Sequence, residues 1–174
     1  MSYTRRKLSY DDKDILDEIY NALEKITLPS SFRNKGGQGH QIRTGTTTQR
    51  NARQTIFGTT TYQGKKRESR STKKYPYMMP LFREFIDSHY PEFKFESVYV
   101  NRNTIVKKHL DSKNVGESLL VGFGPYTEGK TVLYTSTGEE KISIKSHSLL
   151  FNGSDIEHKS EPFEGTRYSL VFFN

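Results

Sequence analysis

The first regular pattern along the chain is a helical repeat of apolar positions near the N-terminus. These positions recur three or four residues apart and comprise Ile15, Leu16, Ile19, Tyr20, Leu23 and Ile26. Ser9 or Asp11 can cap the start of such a helix, and Pro29 lies just past its end. The pattern therefore predicts an amphipathic helix of about four turns.

The helical repeat disappears between residues 30 and 75. This stretch is rich in Gly, Thr, Gln and Ser and poor in aliphatic residues, so we expect a loop with one short strand around residues 54–57. A second helix is predicted over residues 80–89, because Pro80 suits a first helical turn and Pro91 would end the helix.

After Pro91 the period of the apolar positions changes to two. Six short alternating or β-rich segments follow, at residues 95–101, 117–123, 131–135, 141–145, 148–151 and 166–173. Helices followed by closely spaced strands predict an α+β chain whose C-terminal half is a β-sandwich or a jelly-roll barrel.

The composition limits both the size and the class of the protein. With 174 residues, 32% apolar residues and a mean hydropathy of −0.79, the chain has material for one domain. Its apolar runs are far shorter than the roughly 20 residues of a membrane helix, and the N-terminus lacks the apolar stretch of a signal peptide.

Cysteine is absent, which excludes disulfides and Cys-ligated metal centres. We expect an intracellular protein, cytoplasmic or nuclear, that is not secreted, has no membrane partner and is a monomer.

Positive charge is concentrated in one segment. Residues 33–74 hold eleven Lys or Arg and one acid, Glu68, whereas the rest of the chain holds 16 basic and 19 acidic residues. Basic residues interleaved with Thr, Gln, Asn and aromatic residues are typical of nucleic-acid binding, with Arg53 a candidate phosphate contact and Phe57 a candidate for stacking on a base. A solvated flexible loop, or a surface for an acidic peptide, would have the same composition.

Two histidines, an aspartate and an arginine occur in an informative order. His109 and Asp111 are two residues apart, so in a strand both side chains point to the same side. His158 follows after enough chain for about four or five short strands. Arg167 lies on the last predicted strand, with Ser169 on the same face. His147 is a competing second histidine, but no arginine follows it at the corresponding spacing, and we therefore favour His158.

These residue types point to a particular chemistry. Two imidazoles and one carboxylate form the facial ligand set that holds Fe(II) and leaves coordination positions open. An arginine in the same pocket offers a bidentate fork for a carboxylate. The sequence therefore predicts an iron centre beside a site for a small dicarboxylic acid.

The series His109-x-Asp111, His158, Arg167 resembles the Fe(II)/2-oxoglutarate-dependent dioxygenases, and the resemblance covers roughly residues 79–174. Residues 165–173 are similar to the last barrel strand of that family. The sequence departs from the family pattern at Glu128-Gly129-Lys130, where two successive glycines are usual before the fourth strand.

Two branches of the family look similar to the chain. The Asn101-Arg-Asn103 motif, Asn114 and the Leu149-Leu-Phe-Asn-Gly motif resemble the TET/JBP-like nucleic-acid oxygenases, which include algal and viral members. Tyr99, ten residues before His109, and the Thr166-Arg-Tyr ending resemble prolyl hydroxylases. The first branch suggests a viral or algal source.

The resemblance implies a fold and a set of cofactors. The fold would be α+β, with N-terminal helices packed on a double-stranded β-helix, or jelly roll. It would form a single domain with an N-terminal helix (1–29), a basic loop-rich segment (30–76) and a catalytic core (77–174). Fe(II) would be held by His109, Asp111 and His158, with 2-oxoglutarate as co-substrate and ascorbate as reductant.

The resemblance also implies roles for individual residues. Arg167 and Ser169 would bind the distal carboxylate of 2-oxoglutarate, and Tyr99 and Asn101 would complete the co-substrate site. From the residues themselves, we expect further substrate contacts from Phe173, on the same face as Arg167 and Ser169, from Asn114, and from Arg53 and Phe57 of the basic segment.

The leading hypothesis is a dioxygenase that hydroxylates a methyl group on a nucleic-acid base, 5-methylcytosine or thymine, with release of succinate and CO2. The alternative is a hydroxylase acting on a prolyl or other side chain of a polypeptide. A third hypothesis is a non-catalytic binding module. The partner is accordingly a nucleic acid or a polypeptide substrate.

Overall fold

The structure is a computed structural model that describes residues 2–29, 41–42, 52–111 and 115–174. Its helices are α1 (Tyr10–Glu24), α2 (Arg70–Lys74) and α3 (Met78–His89). Its strands are β1 (Tyr3–Lys7), β2 (Gln41–Ile42), β3 (Arg53–Tyr62), β4 (Lys65–Glu68), β5 (Ser97–Arg102), β6 (Ile105–Val106), β7 (Ser118–Phe123), β8 (Tyr126–Glu128), β9 (Thr131–Thr135), β10 (Gly138–Ile142), β11 (His147–Phe151), β12 (Glu157–Ser160), β13 (Phe163–Gly165) and β14 (Tyr168–Phe173).

The two longer helices form where the sequence predicts them. Ser9 caps α1 in a capping box: its hydroxyl accepts from the Asp12 backbone N–H at 3.1 Å, and the Asp12 carboxylate accepts from the Ser9 N–H at 2.9 Å. Helix α3 begins two residues before Pro80, which therefore lies in the first turn, where its missing N–H breaks no helical hydrogen bond. Among the helices of the described residues, none is long and apolar enough to span a membrane.

Seven strands form one large antiparallel sheet in the order β1-β11-β7-β14-β5-β3-β4. Its two faces have different neighbours. The helix-side face belongs to one buried cluster with residues of α1 and α3, and it carries Phe57, Val98, Val100, Leu119, Val121, Leu170 and Phe172. By strand alternation, the pocket-side face carries Gln54, Ile56, Tyr99, Asn101, Leu120, Gly122, Leu149, Phe151, Ser169, Val171 and Phe173.

A second, smaller layer lies over the pocket-side face. It contains a three-stranded sheet in the order β10-β9-β12 and the two-stranded pairs β13-β8 and β2-β6. Leu133 of β9 and Ile142 of β10 share a buried cluster with Leu149 and Phe151 of the large sheet. The two antiparallel layers thus face each other, as the prediction of a jelly-roll barrel requires, and we call the region between them the pocket.

The strand predictions are confirmed for six elements. The predicted segments overlap β5, β7, β9, β10, β11 and β14, with β10 beginning three residues earlier than predicted. The edge strand β1, with the sequence Tyr-Thr-Arg-Arg-Lys, was not predicted because it has no apolar alternation. It forms through pairing with β11.

The prediction of a largely irregular basic segment is wrong for residues 53–74. A ten-residue strand, β3, joins the large sheet beside β5, and it is followed by β4 and the short helix α2. The turn between β3 and β4 is formed by Gln63 and Gly64, both with positive φ (51° and 76°), which suits a two-residue hairpin loop. This part of the segment is therefore built into the large sheet. The remainder, at 30–40 and 43–51, lies outside the described residues.

Candidate metal centre and carboxylate pocket

His109 and His158 are brought together by a local backbone pairing. The two residues form an antiparallel bridge in which each N–H donates to the carbonyl oxygen of the other at 3.1 Å. His158 lies on β12 of the small layer, and the bridge attaches His109 to that strand. Directly opposed residues place their side chains on the same face, and the centroids of the two imidazole rings are 4.2 Å apart.

Asp111 completes a compact set of three ligand groups. Its Oδ1 lies 3.2 Å from His109 Nε2, and its Oδ2 lies 3.4 Å from His158 Nε2. The three ligand atoms all lie within 4.8 Å of one another, as is expected of residues that share one metal ion. This geometry agrees with the sequence prediction that the three residues share one site. The competing histidine, His147, lies away from them. On β11, His147 pairs with Lys7, and its Nδ1 bonds to the Ser146 hydroxyl.

The backbone around the two histidines fixes which ring nitrogen faces the centre. His109 Nδ1 lies 2.6 Å from the carbonyl oxygen of Lys107, and His158 Nδ1 lies 2.8 Å from that of Ile156. A carbonyl can only accept, so each Nδ1 carries the proton and donates. Each Nε2 then faces Asp111, where a proton on it is donated to the carboxylate; when that proton is lost, the Nε2 lone pair is free for a metal ion, in the tautomer that metal-binding imidazoles adopt.

The charges at this centre stabilise one another. Burial disfavours the ionised form of Asp111, but hydrogen bonds and charge from His109 and His158 outweigh it and hold the Asp111 pKa well below its usual value. Burial likewise opposes protonation of His109, yet Asp111 and the Lys107 carbonyl raise the His109 pKa. The Asp111 carboxylate is therefore anionic at neutral pH, as a hard cation requires.

Gly153 provides the space for this carboxylate. A Cβ atom built on Gly153 would lie 2.3 Å from Asp111 Oδ2 and 3.3 Å from His158 Cε1. The Gly153 carbonyl also accepts a hydrogen bond from the Asp111 N–H at 2.9 Å. Gly153 ends the Leu-Leu-Phe-Asn-Gly motif, but the sequence did not identify it as part of the site.

A second polar group, Arg167, lies deep between the layers. The residue is 4% exposed, and its Nε has no hydrogen-bond partner among the described residues. The ring centroid of Tyr126 lies 5.4 Å from the Arg167 guanidinium carbon. The Tyr126 hydroxyl is also buried without a partner. Burial lowers the Arg167 pKa, because the charged form has lost its hydration, and no carboxylate of the described residues forms a salt bridge with it.

The surroundings hold Arg167 in place and leave room next to it. Asn103 accepts from the Arg167 backbone N–H through Oδ1 at 2.8 Å and donates its own N–H to the Arg167 carbonyl at 2.8 Å. A Cβ on Gly129 would lie 3.2 Å from Arg167 Nε, and one on Gly122 would lie 2.8 Å from the Tyr126 hydroxyl. Gly129 is the glycine retained at the departure from the family pattern, while Glu128 before it adopts a positive φ of 62°.

A row of polar residues crosses the pocket-side face at this depth. Asn101 is paired with Ser169 on one side and with Gln54 on the other, and Ser169 is paired in turn with Gly122. Gln54 Nε2 donates to Asn101 Oδ1 at 2.8 Å, and Gln54, Asn101 and Ser169 are all buried. The predicted pair Asn101 and Ser169 is thus brought together, and Gln54 joins it from a segment where the sequence indicated only a short strand.

Tyr99 and Phe173 lie farther along the same face. Their rings stack with centroids 6.0 Å apart and an interplanar angle of 27°, and both side chains are half-buried. Strand alternation places them on the side of Asn101 and Ser169. The structure therefore positions both predicted residues on the wall of the space between the layers.

The structure does not bring the predicted residues of the basic segment to this space. Phe57 is fully buried on the helix-side face, with its ring 5.4 Å from that of Phe82, so the prediction that it stacks on a base is wrong. Arg53 pairs with Arg102 on the same side, and its guanidinium donates to the Ala52 carbonyl. Asn114 lies outside the described residues.

The architecture is similar to that of several solved oxygenases. A Pseudomonas putida prolyl-4-hydroxylase matches with a TM-score of 0.56 and 14% identity, covering 98% of this chain and 91% of that one. A Trichoplax adhaerens prolyl hydroxylase, in complex with a hypoxia-inducible-factor oxygen degradation domain peptide fragment, matches with a TM-score of 0.60 and 13% identity, covering 98% and 82%. NgTET1 in complex with 5mC DNA matches with a TM-score of 0.59 and 14% identity, covering 98% and 71%.

No protein-family model and no curated protein matches the sequence. At the low identities of the three structural matches, the likeness concerns the fold. The chain has the double-stranded β-helix fold of these oxygenases, as the resemblance of its sequence implied.

Proposed function

We propose that the protein is an Fe(II)/2-oxoglutarate-dependent dioxygenase. The observation that carries this proposal is the convergence of His109 Nε2, His158 Nε2 and the Asp111 carboxylate within one ligand sphere. Two imidazoles and a carboxylate are the facial set of non-haem Fe(II) oxygenases. The shared fold supports the same activity.

The buried polar groups that lack a hydrogen-bond partner among the residues that the structure describes, Arg167 Nε and the Tyr126 hydroxyl, fit the co-substrate. A buried guanidinium without a carboxylate partner is costly unless an anion binds to it, and the distal carboxylate of 2-oxoglutarate is such an anion. In this proposal Arg167 and the Tyr126 hydroxyl bind that carboxylate, and Ser169 and Asn101 line its site. Tyr99 closes the pocket wall towards the metal ligands.

The residues of the chain hold and orient the reacting groups. The Nδ1–H bonds to the carbonyls of Lys107 and Ile156 keep both imidazole rings turned towards the ion. The burial of Arg167 keeps water from competing for the carboxylate. When bound, Fe(II) and 2-oxoglutarate supply, together with O2, the oxidising chemistry that hydroxylates a C–H bond and yields succinate and CO2. Ascorbate would serve as reductant.

The leading substrate in this proposal is a methyl group on a nucleic-acid base, 5-methylcytosine or thymine. The concentration of positive charge in residues 33–74 supports a polyanionic substrate, and one solved relative of the fold is NgTET1 with 5mC DNA. A duplex substrate would have to present the base outside the helix, because the ligand set lies between two sheet layers.

A prolyl or other side-chain hydroxylase is the second candidate. Tyr99 stacked on Phe173 supports it, because the prolyl hydroxylases that the sequence resembles carry a tyrosine at this spacing from the first histidine. One of the structural matches has a bound peptide fragment. A non-catalytic binding module is disfavoured, since such a module has no need for three convergent ligands and a buried arginine.

Anaerobic spectroscopy tests the reaction class. Adding Fe(II) and 2-oxoglutarate to the protein should produce the metal-to-ligand absorption band of the ternary complex. His109→Ala should abolish the band, and Arg167→Ala should require a much higher 2-oxoglutarate concentration to produce it. His147→Ala is the matched control and should retain the band, because His147 lies away from the ligand set. Absence of the band in the parent protein would refute the proposal.

A second assay separates the substrates. Oxygen-dependent succinate release should be compared with methylated DNA, methylated RNA and peptide libraries. Stimulation by a nucleic acid supports the base-methyl hypothesis. Stimulation by a peptide, with no response to DNA or RNA, would replace it with the side-chain hydroxylase.

A further inference from the structure

The β3–β4 hairpin extends the large sheet beyond the metal end of the pocket. Strand β5 begins at Ser97, opposite Gly58, whereas β3 continues to Tyr62 and returns as β4. Ser97 is also paired with Phe173 at the end of β14. Arg167 precedes the other end of β14, so the hairpin lies at the end remote from Arg167.

The metal ligands lie towards this same end of the sheet. Phe151, the last residue of β11, contacts the His158 ring with centroids 5.0 Å apart, and it is paired with Ser118 at the start of β7. Ser118 lies one position beyond Leu119, the partner of Phe172, and so at the level of Phe173. The end of the sheet at which the hairpin projects is therefore also the end nearer the metal ligands, although β3 and β11 are separated by three strands.

One face of the hairpin continues the pocket-side face. Tyr62 and Thr60 follow Gln54, Ile56 and Gly58 by strand alternation. Across the hairpin, Lys65 is paired with Tyr62 and Arg67 with Thr60. We call these four residues, Thr60, Tyr62, Lys65 and Arg67, the hairpin surface. The Arg67 guanidinium lies 4.8 Å from the Tyr62 ring centroid, which confirms that both side chains are on one side.

The opposite face of the hairpin has different neighbours. Lys66 forms a salt bridge with Glu96 at 3.1 Å, and Glu96 precedes Ser97 and so points to the helix side. Glu68 and Thr59 line a surface cavity together with Met79 and Arg83 of α3. The charge of Lys66 is therefore compensated on the helix side, away from the hairpin surface.

The hairpin surface itself carries uncompensated charge beside an exposed aromatic ring. Neither Lys65 nor Arg67 forms a salt bridge with any of the described residues, and both side chains are exposed. Tyr62 is 56% exposed, although a ring of its size in a strand is usually covered. A cationic pair flanking an accessible ring is the combination that binds single-stranded nucleic acid, through phosphate contacts and base stacking.

We propose that the hairpin surface docks a nucleic-acid strand, with Lys65 and Arg67 on its phosphates and Tyr62 stacked on an unpaired base. The proposal rests on the proposed function, because it names the surface that would hold a nucleic-acid substrate at the mouth of the same pocket. An acidic peptide would pair with the two cations but would gain little from the ring.

Fluorescence anisotropy with a labelled single-stranded oligonucleotide tests this docking surface. The full chain is titrated without Fe(II) or 2-oxoglutarate at several salt concentrations, so that binding is measured independently of turnover. The variants are Lys65→Ala/Arg67→Ala and Tyr62→Ala. The matched control is Arg5→Ala/Lys7→Ala, which removes the same charge from β1, the opposite edge of the sheet.

The expected results differ between the variants. Lys65→Ala/Arg67→Ala should weaken binding and reduce the slope of log K against log salt by about 1.4, the value for two phosphate contacts on a single strand. Tyr62→Ala should weaken binding roughly tenfold with little change in slope, because stacking is not ionic. The control variant should bind as the parent does. Thermal unfolding of each variant checks that the exposed hairpin substitutions leave the fold intact.

The proposal is overturned if the parent protein does not bind the oligonucleotide, or if the β1 control weakens binding as much as Lys65→Ala/Arg67→Ala does. It is also overturned if polyglutamate binds as tightly as the oligonucleotide and Tyr62→Ala leaves the affinity for both unchanged. The last result would assign the surface to acidic peptides. Each is distinguishable from failure of the proposed function, which is tested by the anaerobic absorption band and does not depend on the oligonucleotide.

Discussion

Gly153 and Asp111 are in such close contact that the glycine has no room for a side chain. A Cβ atom on Gly153 would lie 2.3 Å from Asp111 Oδ2, well inside contact distance, and 3.1 Å from Asp111 Cγ. The backbone of Gly153 meanwhile accepts from the Asp111 N–H at 2.9 Å. The same residue thus holds the Asp111 backbone through its carbonyl and makes space for the Asp111 carboxylate by having no Cβ.

This contact predicts that Gly153→Ala will impair metal binding. The added methyl group must displace the Asp111 carboxylate from its position between the two imidazoles, and a shift of one ligand should weaken Co(II) or Mn(II) binding at least about tenfold in calorimetry. Gly138→Ala is the control: nothing lies within 4 Å of its Cβ position, and the strain from its positive φ of 120° falls at the start of β10 and not at the ligands, so it affects stability and not metal binding. The explanation fails if Gly153→Ala binds the ion as tightly as the control does.

The buried hydroxyl of Tyr126 predicts a role in co-substrate affinity. It has no partner within the described chain and lies beside Arg167, so a bound carboxylate would satisfy both groups. Tyr126→Phe should therefore raise the Kd for 2-oxoglutarate about fivefold, the equivalent of one hydrogen bond of about 1 kcal/mol. The measurement is a 2-oxoglutarate titration of the anaerobic absorption band.

Tyr134→Phe is the matched control for this substitution, because Tyr134 lies on β9 with Lys108 4.0 Å from its ring centroid. An unchanged Kd in Tyr126→Phe, or an equal rise in Tyr134→Phe, would contradict the assignment of Tyr126 to the carboxylate site.

The ligand set was predictable from the sequence because its signal is local. His109 and Asp111 are two residues apart, and the order of His158 and Arg167 behind them is readable along the chain. The other parts of the site depend on tertiary pairing. The role of Gly153 is visible only once Asp111, from another segment, is placed against it. The role of Gln54 is visible only from its hydrogen bond to Asn101 on the neighbouring strand.

The phase of β3 shows why the sequence misassigned Phe57. Apolar residues occupy adjacent positions at Ile56 and Phe57, so alternation alone cannot tell which of the two faces the pocket. Pairing with β5 decides the matter: Phe57 is opposite Val98 in the core below α3, and Ile56 is opposite Tyr99. In a sequence rich in basic residues, an aromatic residue of a buried strand looks the same as an aromatic residue that stacks on a base.

The corrected position of Phe57 predicts a stability effect. Phe57→Ala removes a fully buried ring that packs against Phe82, and it should lower the free energy of unfolding by about 3–5 kcal/mol. Tyr62→Ala on the exposed part of the same strand should change it by less than about 0.5 kcal/mol. Urea denaturation of both variants provides the measurement. Comparable, small effects in the two variants would show that Phe57 is not a core residue.

A buried chain of hydrogen bonds predicts how stability depends on pH. His89 of α3 lies between Asp12 and Ser148, with Nδ1 2.7 Å from Asp12 Oδ2 and Nε2 2.7 Å from the Ser148 hydroxyl. Burial opposes ionisation of Asp12, but hydrogen bonds from the Ser9 backbone, Ser88 and His89 outweigh it and lower the Asp12 pKa below 3.8. The folded state therefore binds this proton more weakly than the unfolded state does.

A depressed carboxyl pKa gives stability that is complete well above pH 3.8 and is lost as the pH falls through the lower, folded value. Asp12→Asn should accordingly destabilise the protein by about 1–3 kcal/mol at neutral pH, since it removes a carboxylate that accepts hydrogen bonds from the Ser9 N–H and the Ser88 hydroxyl and contacts the His89 ring. The difference from the parent should shrink as the pH is lowered below 3.8, because the parent then loses the same charge. Urea denaturation across this range measures the difference, with Asp14→Asn on the exposed side of α1 as control. If the difference between Asp12→Asn and the parent is independent of pH, the ionised carboxylate is not what stabilises the contact between α1 and α3.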